Sequence, residues 1–214
     1  MGGSIDLAQD GTILRDGCRL SYKTWRWMPD DAAVAGRAAT AREALAGIAA
    51  RASLRHLVVG VIGPREATDE QRGAAEALGR ELGALGLTTI CGGKSGVMEA
   101  VCRGVDAAGG LAIGILPGTH PDEANAFVGI ALPTGLNEAR NMVIARAARV
   151  LIAVGGSYGT LTEIAYGLHF SKAVIVLEDA PEIAGVTPAG DVDEAIELAA
   201  RALIASATPA EAAR

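Results

Sequence analysis

One stretch of the sequence decides the fold: Val150-Leu151-Ile152-Ala153-Val154-Gly155-Gly156-Ser157-Tyr158-Gly159-Thr160. Its first five residues are all apolar, which is typical of a strand buried on both faces of a sheet. The glycines that follow allow a tight turn and let a ligand approach the main chain. A helix predicted from Thr160 to about residue 170 directs its free N–H groups and positive dipole end into this turn. The stretch therefore predicts an anion site, with hydroxyl donors from Ser157 and Thr160; the alternative is a tight turn without a ligand.

The same alternation of strand and helix continues through most of the chain. Helices are predicted over about 69–85, 95–108, 138–149 and 160–170, with a last helix opening at Asp191. Apolar runs predict strands at 57–62, 87–91, 111–116, 130–132, 150–154 and 173–177. Strands of this kind, alternating with helices, predict an α/β fold: a doubly wound, Rossmann-like parallel sheet with helices on both faces. Ligands of such sheets bind at the carboxyl ends of the strands.

The chain of 214 residues is predicted to hold one main domain. We assign residues 57–205 to the nucleotide-binding Rossmann-like domain and 206–214 to a tail. Residues 1–56 form an extension, in which turn dipeptides at Asp10 and Asp16 predict a small hairpin, followed by a helix over 38–51. The two indoles, Trp25 and Trp27, are expected to cap an edge of the core or to form a subunit contact; base stacking is the alternative.

Composition narrows the range of functions. The formal net charge of −6 argues against a broad nucleic-acid surface, which needs clustered cations. No apolar run approaches the ~20 residues that span a bilayer, and no signal peptide is recognised, so we expect a cytoplasmic protein without membrane or nucleic-acid partners. The histidines are scattered, which predicts no protein-built metal site. Without a CxxC pair, Cys18, Cys91 and Cys102 are expected to be reduced thiols.

Two further glycine-bearing loops follow predicted strands. The first is Gly63-Pro64-Arg65 and the second is Gly92-Gly93-Lys94-Ser95-Gly96. The second loop is not a P-loop, because the leading glycine would have to occupy the position of Thr88. A GxGxxG fingerprint is also missing, so neither an ATPase nor an ordinary NAD dehydrogenase is favoured. The candidate ligand-binding residues of these two loops are Gly63, Gly92, Gly93, Lys94 and Ser95.

Two ionisable side chains are candidates for chemistry. Arg140 lies three residues after Asn137, which is placed to cap the predicted helix, so both can face one side. Arginine suits bidentate contact with a phosphate or a polarised base; the alternative is a surface salt bridge with Glu138. Glu163 lies one turn into the next helix, where a carboxylate can act as a base or stabilise a cation. Its alternative role is a capping box with Thr160.

Together the loops resemble the Lonely Guy (LOG) superfamily, long mislabelled as lysine decarboxylase-like, over residues 57–178. That family carries a PGGxGTxxE stretch, a GGG-type loop ending in Gly-Leu-Met, and an Arg-Lys pair. The matching stretches here are Val154–Glu163, Cys91–Met98 and Ala139-Arg140-Asn141. Val154 replaces the proline, Ser157 is an extra residue, and Asn141 replaces the lysine. The Arg-Asn pair is more similar to a sister branch, the molybdenum-cofactor carrier proteins.

The resemblance implies two alternative functions. The first is hydrolysis of the N-glycosidic bond of a cytokinin-like nucleoside 5′-monophosphate to base and ribose 5-phosphate, which requires no cofactor or metal. Arg140 would then orient the ligand and polarise the base, and Glu163 would stabilise the oxocarbenium ion or activate water. The phosphate would be held by Gly155, Gly156, Gly159 and Thr160, with Ser157, Asn137 and Asn141 as further ligand contacts.

The second alternative is a non-catalytic protein that carries molybdopterin, the molybdenum cofactor, as cargo. Arg140 and Glu163 favour the hydrolase slightly, whereas Asn141 lacks the charge of the hydrolase pattern and favours the carrier. Binding of a nucleotide-type ligand is better supported than either of these two functions. A protein-interaction module without a ligand is a third interpretation. No lysine is marked for a Schiff base, so lysine decarboxylation is not predicted. Family members form homodimers, which implies a homo-oligomer here.

Overall fold

The fold is described by a computed structural model that covers residues 5–30 and 36–209. Its helices are α1 (Ala41–Ala49), α2 (Asp69–Ala84), α3 (Val97–Ala107), α4 (Arg140–Ala147), α5 (Tyr158–His169) and α6 (Val192–Ala205). Its strands are β1 (Asp6–Ala8), β2 (Ile13–Arg15), β3 (Cys18–Ser21), β4 (Arg26–Pro29), β5 (Gly36–Ala38), β6 (Val58–Ile62), β7 (Thr88–Cys91), β8 (Leu111–Leu116), β9 (Ile130–Pro133), β10 (Val150–Val154), β11 (Ala173–Leu177), β12 (Thr187–Pro188) and β13 (Thr208–Pro209).

The centre of the molecule is a seven-stranded sheet in the order β12-β11-β10-β6-β7-β8-β9. All its neighbouring strands are parallel. Strand β10 is buried on both faces, because Ile152 belongs to the core under α2, α3 and α6 while Leu151 belongs to the core under α4 and α5. Helices thus cover both faces of the sheet, and the predicted doubly wound fold is confirmed.

Close packing of α2 against α3 depends on glycine. A Cβ atom on Gly104 would lie 2.0 Å from the carbonyl oxygen of Glu76, and one on Gly79 would lie 2.3 Å from that of Val101. No real Cβ can approach that closely, so the two helix backbones touch only because side chains are missing there. This contact fixes α3, whose N-terminus approaches the carboxyl edge of the sheet.

The N-terminal segment builds a second sheet in the order β13-β4-β3-β2-β1-β5. The predicted hairpin is present, with β2 and β3 paired antiparallel. Trp25 and Trp27 are both buried in the main core, and the Trp25 indole N–H donates to the Leu203 carbonyl at 2.8 Å. Within the predicted tail, residues 208–209 join this sheet through the β13–β4 pairing, and residues 210–214 lie outside the described residues.

Two helix starts differ from the sequence predictions. The predicted Asn137 cap is wrong: Asn137 has a φ of 49° and opens a short 3₁₀ turn, and α4 begins only at Arg140. The capping box of Thr160 and Glu163 is also wrong, because α5 already begins at Tyr158. Instead the Ser157 N–H donates to Thr160 Oγ1 at 3.2 Å. Glu163 therefore lies inside the helix, where its side chain is available to a site.

Candidate ligand site at the carboxyl edge of the sheet

A cavity of about 470 Å³ opens at the carboxyl ends of the parallel strands. Its size falls within the range of small-molecule sites. Five chain segments surround it: the loop after β6, the start of α3, the residue after β8, the 3₁₀ turn with the start of α4, and the loop that enters α5 together with its first turns. The lining residues are Gly63, Pro64, Arg65, Glu66, Met98, Pro117, Asn137, Glu138, Arg140, Asn141, Gly156, Ser157, Gly159, Thr160 and Glu163.

The loop that enters α5 presents its backbone to the cavity. Gly156 passes so close to Pro181 that a Cβ atom would lie 2.3 Å from its Cδ, so no larger residue fits there. A Cβ atom on Gly159 would make only ordinary van der Waals contacts, with its nearest neighbours at 3.7 Å and 3.8 Å. Within the described residues, the backbone N–H groups of Tyr158 and Gly159 have no hydrogen-bond partner. Free N–H groups at a helix N-terminus are a suitable receptor for an anion.

Gly155 contributes to this loop by its conformation. It has a left-handed φ of 62°, and a Cβ atom would lie 2.4 Å from Nε2 of Gln71. The same amide donates to the Glu178 carbonyl at 3.3 Å. Gly155 therefore lets the chain turn beside α2, and the structure places it behind the cavity wall.

Arg140 is a buried cation at the floor of the site, with 6% of its surface exposed. Its Nη1 donates to the Gly92 carbonyl at 2.5 Å and also to the Ile115 carbonyl. The predicted alternative, a surface salt bridge with Glu138, is therefore wrong. Burial lowers the pKa of Arg140, while the nearby Glu163 opposes that shift. An arginine nevertheless keeps its charge in proteins, so the floor of the cavity is positive.

Glu163 lies beside Arg140 and is equally buried, with 7% exposed. In the part of the chain that the structure describes, its carboxyl group has no hydrogen bond or ion pair within 4 Å. Burial raises the pKa of Glu163 to about 8, although the charge of Arg140 acts in the opposite direction. Burial thus favours the protonated form of this carboxyl at neutral pH, and in that form it is a proton donor.

The loop after β7 does not form a second open cradle. Gly93 packs against Gly114, and the Lys94 ammonium donates to the Glu123 carbonyl at 3.0 Å and pairs with the Glu123 carboxylate at 3.5 Å. Gly92 acts through the carbonyl that holds Arg140. The structure thus places the predicted ligand residues Gly92, Gly93, Lys94 and Ser95 around the cavity and not in its lining, whereas Met98 enters from α3.

Asn141 has a defined task at the start of α4. Its Nδ2 donates to Thr162 Oγ1 at 3.1 Å and lies 3.5 Å from the Gly159 carbonyl. The amide thereby links α4 to the first turn of α5. A neutral side chain occupies this position of the cavity wall, and its amide is already engaged with the protein.

Six residues that line the cavity were not predicted from the sequence: Pro64, Arg65, Glu66, Met98, Pro117 and Glu138. Arg65 had the clearest signal, since a cation that follows a buried strand by three residues lies at the carboxyl edge of the sheet, and Pro64 and Glu66 share that loop. Met98, Pro117 and Glu138 carry no such signal, because they reach the cavity only through the crossings of α3 and β8 and through the 3₁₀ turn before α4.

The cysteines are free thiols, and two of them lie next to each other beneath the loop after β7. The sulfur atoms of Cys91 and Cys102 are 3.5 Å apart, and both residues are buried. The contact with Cys102 and the burial both raise the pKa of the Cys91 thiol. A thiol in that state is a poor nucleophile.

Two searches of the described residues bear on other kinds of site. Residues 5–30 and 36–209 contain no group of three or more histidine, cysteine or carboxylate side chains arranged to hold a metal ion. The helices within these same ranges are too short or too polar to cross a membrane.

The fold and the cavity define a class of protein: a Rossmann-like α/β protein whose glycine-rich loops surround a cavity at the carboxyl edge of a parallel sheet. Within that class, the chain belongs to the SLOG cluster4 family, whose model matches residues 56–212. The predicted resemblance to the LOG superfamily is therefore confirmed.

Two solved structures are similar to this chain over nearly their whole length. One is the molybdenum cofactor binding protein from the phototrophic bacterium Rippkaea orientalis, with 34% identity and a TM-score of 0.65 over 69% of this chain and 97% of that one. The other is the molybdenum cofactor carrier protein from Chlamydomonas reinhardtii, with 34% identity and a TM-score of 0.63 over 70% of this chain and 99% of that one. The predicted position close to molybdenum-cofactor carriers is thereby confirmed.

A relative on the hydrolase side matches over a shorter stretch. It is a probable cytokinin riboside 5′-monophosphate phosphoribohydrolase of Oryza sativa subsp. japonica, 35% identical over 96 residues. The match covers 44% of this chain and 42% of the rice protein. The chain thus spans less than half the length of that relative.

Proposed function

We propose that this protein binds a phosphorylated pterin, the molybdenum cofactor, as cargo in the cavity at the carboxyl edge of the sheet. The main support for the proposal is the open segment Gly156–Thr160, of which Gly156, Ser157, Gly159 and Thr160 line a cavity of about 470 Å³. At the N-terminus of α5, the N–H groups of Tyr158 and Gly159 have no partner among the described residues. These groups suit the phosphate, and the Arg140 cation at the cavity floor adds a favourable charge. The similarity to two molybdenum-cofactor proteins over nearly their whole length supports the same ligand.

The residues of the cavity fit such a ligand by their chemistry. A pterin is planar and carries amide, amine and ring-nitrogen groups along its polar edge. Asn137 and Glu138 line the cavity and offer donors and acceptors for such an edge, and Met98 offers an apolar contact. A site with a few polar groups and a helix N-terminus for the phosphate matches the usual design of a small-molecule site.

The charges of two side chains, Asn141 and Glu163, favour a cofactor carrier over a hydrolase. Asn141 is neutral and bonded to Thr162, so it cannot supply the charge that the hydrolase pattern has at this position. Glu163, with a pKa of about 8, is mostly protonated at pH 7. Activation of water or stabilisation of an oxocarbenium ion needs the ionised carboxylate, so neutral pH suits a binding role better.

Hydrolysis remains the second candidate because Glu163 and Arg140 lie together in the cavity. A protonated Glu163 can donate its proton to the departing base as the glycosidic C–N bond breaks. A water then adds to the sugar carbon, and the Glu163 carboxylate takes back the proton that this water releases. The products are the free base and ribose 5-phosphate. The short match to the rice phosphoribohydrolase supports this candidate.

One experiment separates the two functions. The purified protein is titrated calorimetrically with isolated molybdenum cofactor, and it is incubated with adenosine 5′-monophosphate and an N6-prenylated analogue while chromatography detects free base. Binding of the cofactor without base release supports the carrier. Base release that is lost in Glu163→Gln but retained in the exposed control Glu182→Gln would establish the hydrolase. A protein that neither binds the cofactor nor releases base contradicts both.

A further inference from the structure

Arg65 is a cavity-lining cation that neither candidate function uses. It follows β6 in the segment Gly63–Glu66, and its side chain is exposed to the cavity. Across residues 5–30 and 36–209, no hydrogen bond or ion pair holds its guanidinium group. The neighbouring Arg72, by contrast, is paired with Asp69 at 2.5 Å. Arg65 therefore retains all its donors for a ligand.

The backbone that carries Arg65 is fixed although its side chain is free. The Pro64 carbonyl accepts a hydrogen bond from the Val97 N–H, the first residue of α3, at 3.1 Å. Gly96 lies against the same segment, since a Cβ atom there would be 2.4 Å from the Pro64 oxygen and 2.3 Å from the Arg65 oxygen. The base of the side chain is thus held in place before any ligand arrives, which lowers the entropy cost of binding.

The segment also lies next to the open loop that enters α5. A Cβ atom on Gly63 would lie 2.5 Å from the carbonyl oxygen of Val154, the last residue of β10. Arg65 is close enough to Arg140 for its positive charge to lower the pKa of that residue. Two arginines and the N-terminus of α5 therefore face one cavity. Like charges in one cavity repel each other, and an anion between them removes that repulsion.

We propose that Arg65 binds the phosphate of the ligand, so that a cation from the loop after β6 supplies the charge that Asn141 lacks. The inference rests on the proposed function, because it concerns the phosphate of the same ligand. A guanidinium binds a phosphate monoester in a bidentate manner. Arg65 is thus a specificity-determining residue, which distinguishes the phosphorylated ligand from its dephosphorylated form.

The test compares a ligand with and without its phosphate. The fluorescent oxidised form of the phosphorylated pterin is used before and after phosphatase treatment, and inorganic phosphate serves as an independent probe in calorimetry. Arg65→Gln is compared with Arg65→Lys and with Arg55→Gln. The last is a matched control, since Arg55 is exposed and precedes β6, at the opposite edge of the sheet.

We expect Arg65→Gln to weaken the binding of the phosphorylated pterin and of inorganic phosphate by about 10- to 100-fold, which is typical of the loss of a charged hydrogen bond. The affinity of Arg65→Gln for the dephosphorylated pterin should change less than about twofold, and so should the affinities of the Arg55→Gln control for all probes. Arg65→Lys should recover part of the lost affinity. Equal weakening of both pterins, or no weakening at all, would overturn the role of Arg65 while the proposed function stands. If inorganic phosphate binds in a manner that depends on Arg65 but the pterin does not bind, the phosphate-binding role of Arg65 stands and the proposed pterin ligand is contradicted. A wild-type protein that binds none of the probes contradicts both.

Discussion

The two glycine-rich loops of this protein have similar sequences and different uses. Both follow a parallel strand and precede a helix: residues 92–96 lead into α3, and residues 155–157 lead into α5. The loop before α5 is open, since Gly156 and Ser157 line the cavity, and the N–H groups of Tyr158 and Gly159 in the first turn of the helix have no partner among the described residues. The loop before α3 is closed, because the first N–H of that helix donates to the Pro64 carbonyl.

The comparison teaches that a glycine-rich loop at a helix N-terminus becomes an anion site only where the protein leaves it free. Gly96 adopts a φ of 71° so that the backbone of Arg65 can lie against it, and Lys94 is bound to Glu123. The closed loop is thus a support: it fixes Arg65 from one side and Arg140, through Gly92, from the other. The open loop is the receptor that these supported cations surround.

The largest expected effect is the response of each loop to an added methyl group. Gly96→Ala places a Cβ atom 2.3 Å from a backbone oxygen at a left-handed position, so we expect it to lower the free energy of unfolding by about 3–5 kcal/mol. In Gly159→Ala the added Cβ atom makes only ordinary van der Waals contacts inside a helix, so its stability should stay within about 1 kcal/mol of the wild type. Its binding of inorganic phosphate should nevertheless weaken, because the methyl group enters the cavity.

Urea unfolding and phosphate calorimetry on the two variants measure this contrast. The distinction between an open and a closed loop is contradicted if Gly159→Ala is the more destabilised variant. It also breaks down if Gly96→Ala retains wild-type stability, since the loop before α3 would then have room for a side chain.

The second effect concerns the helix behind the open loop. The pKa of Glu163 is raised by burial to about 8 from its ordinary value of 4.5, so the folded protein binds this proton more tightly than the unfolded chain. The corresponding stability is fully present below pH 4.5 and is lost as the pH rises through 8. Between pH 4.5 and 7 we expect a loss of about 3 kcal/mol in the wild type relative to Glu163→Gln.

Unfolding free energies of both proteins, measured in steps from pH 4.5 to 8.5, test this prediction. The difference between the two curves isolates Glu163, because every other titrating group is common to both. A difference that stays constant with pH would mean that the carboxyl group titrates normally. A difference that instead grows in favour of the wild type at high pH would mean that Arg140 outweighs burial.

Much of the fold could be predicted from the sequence because its signals are local. The apolar run Val150–Val154 and the glycines after it identify a strand and a turn without any knowledge of distant residues. The doubly wound parallel sheet and the position of a ligand site at its carboxyl edge then follow from general rules for such sheets. The N-terminal hairpin was visible in its turn dipeptides for the same reason.

The site itself was only partly predictable, because whether a loop is open depends on residues far away in sequence. Lys94 follows two glycines, as a phosphate-binding lysine would. Its ammonium group is nevertheless bound to Glu123, which lies 29 residues further along the chain. The sequence leaves Arg140 open between a ligand contact and a surface salt bridge, and its burial depends on the distant carbonyls of Gly92 and Ile115. Asn137 adopts a left-handed conformation that composition does not reveal.

The smallest expected effect is therefore the one that most directly separates the two loops. Lys94→Met removes a cation that is paired with Glu123 and half-buried, so we expect a loss of about 0.5–1.5 kcal/mol in the free energy of unfolding. Phosphate affinity should change less than about twofold, in contrast to the expected loss in Arg65→Gln. Calorimetry with inorganic phosphate on both variants measures the contrast. A tenfold or greater loss in Lys94→Met would mean that Lys94 leaves Glu123 when an anion binds. The closed loop would then be a second receptor, which the ligand opens.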